Sequence, residues 1–385
     1  MSGVPSGLSG AWRDFGHHFR VLEARTIAQK LKVVLTHRPL WALATYRLGR
    51  SIYFCPIGVI RAAGMAAYLP ARAVIRRLTM VALATNVDVG ERVFIGKGVA
   101  VIAEETVIGE DCMLLGGNTL GVAGRGALRG VPRIGSRCVL RQGAVIIGKI
   151  ELPDGTVVGE NAVVAKSPQL GERLEDVHFP PVPEVPPSVK LPRESFWPAF
   201  KTDVRRLVLH FQDGIRLSDL FAILLNDGLW ALAAYRFGRA VGGGLWYRLF
   251  ERMVRAASGI RLDLGAKIAP GLYIGHFGEI EVGAGVKIGT GCNISQRCRL
   301  YSTADGAPVL GDRIYVGAGA WVRGGLNVGN DVAVGANSLV ERDVPEGSVV
   351  VGVPARVISH RGSTDFILDH EFLSTNARAG ASDSA

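Results

Sequence analysis

From Leu310 an aliphatic residue returns at every sixth position: Leu310, Val316, Val322, Val328, Val334 and Val340, with glycine directly after it at 311, 317, 329 and 335. Upstream the same period runs through Leu262, Ile268, Ile274 and Ile280, slips by two, and resumes at Val282, Ile288, Ile294 and Leu300. The first half repeats it at Ile134, Leu140, Ile146, Leu152, Val158 and Val164, after a less regular run around Val89, Ile95 and Val101. A helix brings side chains back to one face every 3.6 residues and a strand every two, so a sustained period of six fits neither alone. It is the hexapeptide signature of a parallel β-helix, in which short strands meet at sharp turns and one aliphatic residue per strand points inward. The glycines suit turns that need positive φ.

The chain is also written twice. Leu40–Arg50 reads "LWALATYRLGR" and Leu229–Arg239 reads "LWALAAYRFGR", differing only at Thr45/Ala234 and Leu48/Phe237. Both copies space apolar residues as a helix does, and their Leu, Trp and Tyr positions are expected in the core. The expected order is a helical block over 1–80, a hexapeptide domain over 81–166 and a Pro-rich linker over 167–200. A second helical block over 201–258, a second hexapeptide domain over 259–361 and a flexible tail over 362–385 follow. Repeated prolines in the linker remove backbone donors and keep it extended.

The net charge of +10 suits anionic company as well as it suits plain solubility. Five scattered cysteines, with no CxxC pair, fit a reducing compartment and no structural zinc. The N-terminal stretch has no apolar region of the signal-peptide kind. The apolar helical stretches are broken by Arg61, Arg72 and prolines, short of the roughly 20 residues a membrane span needs. The expected location is the cytoplasm, including the inner face of the membrane. There the cationic segment "PARAVIRRLTMVAL" (70–83) could lie on an anionic bilayer, as part of an enzyme or of a non-catalytic scaffold. Sparse aromatics and the lack of a stacking platform argue against nucleic acid.

The stretches "GAKIAPGLYIGHFGEIEVGAGVKIGTGCNIS" and "PVLGDRIYVGAGAWVRGGLNVGNDVAVGANSLVERDVPEGSVVVGVPARVI" resemble the serine acetyltransferase-like hexapeptide-repeat acyltransferases, closely over about Gly259–Ile358. The resemblance implies a mainly β fold with helical segments: two left-handed parallel β-helices, each behind a helical block. It implies a trimer-based homo-oligomer with acetyl-CoA in a groove between subunits, and acetyl transfer to a hydroxyl. It places the catalytic histidine at His276, groove-lining positions at Ala318 and Ala336, and a cofactor-facing cation at Arg356. Serine-specific members carry Asp directly before the histidine and an acidic residue fifteen before it. Here those positions are Gly275 and Arg261, and Asp263 is the candidate to orient the ring. The expected acceptor is therefore a sugar or polysaccharide hydroxyl, with L-serine, feeding cysteine synthesis, as the alternative.

An alcohol attacking a thioester must lose its proton as the bond forms, and an imidazole with a pKa near 6.5 suits that task. Of eight histidines only His276 falls in a hexapeptide tract. One is too few for the three-histidine zinc site of the carbonic anhydrases built on this fold, and no metal is expected. In the first half Gly96 or Lys97 stands where His276 stands, so that copy is expected to be degenerate and non-catalytic. It would supply coil surface to the assembly. Its basic, Gly-rich stretch "LGVAGRGALRGVPRIG" reads as a solvated loop or a phosphate-holding one.

Overall fold

A computed structural model describes residues 8–122, 130–169, 172, 174–180, 193–209 and 223–367. The chain divides into two compact units, 1–178 and 179–385. Each is a left-handed parallel β-helix behind a helical block.

In unit 1 the block comprises α1 (Leu8–Val21), α2 (Ile27–Thr36), α3 (Pro39–Tyr53) and α4 (Gly58–Thr79). The Thr26 hydroxyl accepts the Gln29 N–H at 3.2 Å, and the Gln29 side chain accepts the Thr26 N–H at 2.9 Å. That reciprocal cap starts α2. α4 runs through Pro70 for 22 residues and stops at Met80, whose φ is +55°. The segment 70–83 is therefore not one surface helix: Val81–Leu83 leaves it as the first strand. Among the described residues, no helix is long and apolar enough to cross a membrane.

Each turn of the β-helix contributes one short strand to each of three parallel faces. In unit 2 the first face stacks Ile260–Leu262, Ile280–Val282, Arg299–Tyr301, Trp321–Arg323 and Leu339–Val340. The second stacks Lys267–Ile268, Lys287–Ile288, Val309–Leu310 and Asn327–Val328, and the third begins Tyr273–Ile274, Asn293–Ile294, Tyr315–Val316 and Ala333–Val334. A hairpin of Val349–Gly352 against Ala355–Ser359 closes the third face. The six-residue series is the core: Leu262, Ile268, Ile274, Ile280 and every aliphatic from Leu310 to Val340 share one buried cluster. Each such side chain contributes about 1.5–3 kcal/mol by leaving water.

The duplicated helical motif docks each block on its β-helix in the same way. In unit 1 the Tyr46 hydroxyl donates to Val87 O at 2.8 Å and accepts the Val89 N–H at 3.2 Å. In unit 2, α5 (Phe196–Leu209), α6 (Asp227–Val241) and α7 (Leu245–Ser258) form the described block. There Tyr235 donates to Ala266 O at 2.8 Å and accepts the Ile268 N–H at 3.2 Å. The next residue is a buried arginine held by a buried aspartate: Arg47 to Asp14 at 2.8 Å, and Arg236 to Asp203 at 2.9 Å. Of the expected core positions Leu40, Leu43, Tyr46, Leu232 and Tyr235 are buried and Trp41 and Leu229 half-buried, but Leu48 and Trp230 are exposed. The Trp230 indole N–H instead donates to Leu224 O at 2.7 Å, closing the turn before α6.

Residues 362–367, expected in the tail, pack back on unit 2. Ser363 donates its N–H to Asp331 O, Ile367 is fully buried, and the Phe366 ring stacks on Tyr315 at 5.1 Å. An aromatic and an aliphatic residue among small polar ones were enough to hold them. The five cysteines are free thiols, and burial pushes Cys292 and Cys298 up to about 12.

Candidate active site

His276 lies on the corner between the third and first faces of unit 2. At the neighbouring coil this corner takes six residues from Ile294 to Leu300, but at His276 it takes eight, from Ile274 to Val282. The two-residue slip in the hexad pattern is thus an enlarged corner, and His276 is on it. Phe277 is buried and anchors the corner, while His276 is exposed. Gly278 and Glu279, with φ of +100° and +51°, turn the chain into the next strand. Gly278 donates its N–H to Ser258 O at 2.7 Å, which ties the corner to the last residue of α7.

Directly along the same edge the corners stack through backbone hydrogen bonds. Arg297 N–H donates to Gly278 O at 3.0 Å, Gly319 N–H to Gln296 O at 2.9 Å, and Asn337 N–H to Ala318 O at 2.8 Å. The structure therefore brings His276, Ala318 and Ala336 to one column. Neighbouring coils are about 4.8 Å apart, so the column runs about 14 Å from His276 to Ala336. It ends at the hairpin, where Arg356 pairs with Val351 and is exposed. The coil next to His276 carries Gln296 and Arg297 at this corner, with Arg297 Nε 3.9 Å from Glu279. Beyond it the corner must stay small, since a β-carbon on Gly317 would lie 2.8 Å from Ala336 N, and one on Gly319 1.9 Å from Asn337 Oδ1.

Asp263 is not on this column. It follows the strand Ile260–Leu262, at the corner between the first and second faces, three residues and about 10 Å along the first face from the His276 corner. Its Oδ1 accepts the Gly265 N–H at 2.8 Å and its Oδ2 lies 3.9 Å from Arg261. A carboxylate two residues before a glycine closes a local turn, and alternation along the strand does not carry it back to His276.

Two contacts beside the site were not legible in the sequence. Arg261 is bound at 2.7 Å by Glu281, its partner in the next coil. That pairing follows from the lengthened coil, in which residues twenty apart, not eighteen, stand in register. The second is Tyr273, whose ring fills the space beside Gly275. A β-carbon there would lie 2.9 Å from its Cε1 and hydroxyl.

In unit 1 the run Ile95, Gly96, Lys97 stands as Ile274, Gly275, His276 do, and an exposed lysine takes the place of the imidazole. Two histidines of that unit, His18 and His37, serve its core. His18 and His37 pack around Phe94, with ring centroids 4.7 and 5.4 Å from it, and His37 bonds Ile95 O at 2.8 Å. Burial lowers His18 to about 4. Residues 123–129 of the basic Gly-rich stretch lie outside the described residues.

Stacked hexapeptide coils, an enlarged corner bearing a histidine, and a column that narrows to glycine and alanine beyond Gln296 and Arg297 define a hexapeptide-repeat acyltransferase. The chain belongs to the serine acetyltransferase family. It is 38% identical over 144 residues to the serine acetyltransferase of Helicobacter pylori strain J99, covering 36% of this chain and 84% of that protein. It is 35% identical over 178 residues to that of Bacillus licheniformis, covering 43% and 80%. A solved serine acetyltransferase from Brucella abortus in complex with coenzyme A aligns over 43% of this chain and 68% of its own, with 22% identity and a TM-score of 0.38. No family model matches the chain.

Proposed function

We propose that unit 2 transfers an acetyl group from acetyl-CoA to a hydroxyl, with His276 as general base. The imidazole takes the hydroxyl proton as the oxygen bonds to the thioester carbonyl carbon. The tetrahedral intermediate then collapses, the C–S bond breaks, and the imidazolium returns the proton to the leaving thiolate. General-base help of this kind contributes about 10²–10⁴ in rate, and glycine-flanked backbone N–H groups are suited to the oxyanion. The observation that carries the reading is the column that continues from the His276 corner. Past Gln296 and Arg297 it narrows to Gly317, Ala318, Gly335 and Ala336, whose small size leaves room for an extended thioester arm, with Arg356 at its far end for a phosphate. The column is one wall of a groove, and a second copy of the chain supplies the other, within a trimer.

The names of the relatives favour L-serine as acceptor over the sugar expected from the motif alone. One observation favours the second reading, a sugar or glycan hydroxyl. Where a carboxylate would meet the serine ammonium, Gly275 has none and the Tyr273 ring fills the space; an aromatic edge with a hydroxyl suits a sugar better than a zwitterion. The test is thiol release from acetyl-CoA by the whole chain with L-serine and, separately, with a panel of hexoses and oligosaccharides. Release with serine alone supports the first acceptor and release with sugars alone the second. Release with neither overturns the proposed reaction.

A further inference from the structure

α7 has two unlike sides. Val254 and Ser258 are buried, and Tyr247, Phe250 and Ala257 are partly covered. The opposite side carries Leu245, Trp246, Leu249 and Met253, exposed at 69%, 77%, 49% and 63%. At 100° per residue these four share an arc of about 100°, and Arg248, Arg252 and Arg255 occupy the arc beside it, about 60° wide. The one acidic residue, Glu251, faces Arg255 at 3.9 Å. An exposed apolar strip edged by arginines, on a helix too short and too charged to span a bilayer, matches a helix lying in the plane of an anionic lipid surface.

The corresponding helix of unit 1 is also apolar and basic on its exposed surface, over a wider arc. α4, which like α7 leads straight into the first strand of its unit, exposes Val59, Ile60, Leu69, Val74 and Leu78. It carries Arg61, Arg72, Arg76 and Arg77 and no acidic residue. A two-fold contact between α7 helices fits the strip less well, because it would set two rows of arginines together with one glutamate each.

We propose that α7 docks unit 2 on an anionic lipid surface. Leu245, Trp246, Leu249 and Met253 enter the headgroup–acyl boundary and Arg248, Arg252 and Arg255 meet the phosphates. Because Ser258 O accepts the Gly278 N–H at 2.7 Å, the docked helix holds the His276 corner at a fixed distance from that surface. The inference does not rest on the acceptor or on catalysis.

The test is co-sedimentation of the whole chain with phosphatidylcholine vesicles, with and without phosphatidylglycerol, across a salt series. Binding is expected only with phosphatidylglycerol and is expected to weaken as salt rises. Leu249→Glu with Met253→Glu is expected to lower the partition coefficient at least about tenfold, with an unchanged circular dichroism melt. Arg248→Gln with Arg252→Gln, on exposed positions, is expected to lose the phosphatidylglycerol dependence and guards against a misfolded first variant. His276→Ala is expected to bind as the wild type does, which separates this outcome from the fate of the catalytic proposal. No sedimentation with anionic vesicles at low salt overturns the inference, as does undiminished binding by both α7 variants. Loss of a higher oligomer in those variants, without any vesicle binding, overturns it in favour of a second copy of the chain.

Discussion

The Tyr273 ring stands 2.9 Å from where a β-carbon on Gly275 would be. Gly275→Asp therefore pushes a ring aside beside the proposed base. The expected cost is about 1–3 kcal/mol, as for other overpacked sites, read as a lower melting temperature. Tyr273→Ala in the same chain is expected to relieve it, and the double variant to raise turnover with L-serine relative to any sugar acceptor. An unchanged melt for Gly275→Asp contradicts the steric reading.

The buried pair of Asp203 and Arg236 is the joint between helices and coils in unit 2. Removing the carboxylate leaves Arg236 with its charge in a closed site, and such losses cost about 3–5 kcal/mol. Asp203→Ala is expected to show this in denaturant unfolding. Asp14→Ala is expected to lower unit 1 by a similar amount, since Arg47 is held the same way.

His18 gives unit 1 a pH dependence of fixed sign. Its pKa falls to about 4 in the fold from 6.5 in the unfolded chain, so the unfolded state binds more protons between those values. Stability then rises with pH across that window and is lost on acidification, by up to about 3 kcal/mol. Burial lowers His37, packed beside it, in the same direction. His18→Asn is expected to flatten the fall in melting temperature between pH 6.5 and 4, and an unflattened profile contradicts the assignment.

Arg356 closes the far end of the column, five strand spacings, about 24 Å, from the His276 level. Arg356→Ala is expected to raise the KM for acetyl-CoA roughly tenfold, as for the loss of one charge-assisted hydrogen bond, with kcat nearly unchanged. A fall in kcat with constant KM contradicts a role in binding.

The coils were legible because the six-residue period is imposed by the core itself: Leu310 to Val340 each fill one inward place. The slip after Ile280 was visible too, though not its meaning, since an enlarged corner becomes evident only once Ile260 is seen to pair with Ile280 and Val282 with Leu300. The Asp203–Arg236 joint spans 33 residues and leaves no periodic trace, although Asp14 and Arg47 repeat it at the same spacing. Asp263 misled because alternation along a strand says which side a residue faces, not which end of the face it reaches. Tyr273 looked like one more coil residue, because what it does depends on the missing side chain of Gly275.

The central claim is that His276 takes the acceptor's proton, and the most direct measurement is kcat for thiol release from acetyl-CoA by wild type and His276→Ala, with whichever acceptor supports turnover. The account predicts a loss of about 10²–10⁴ in kcat, with the melting temperature unchanged because the ring is exposed. A variant that keeps wild-type kcat contradicts it.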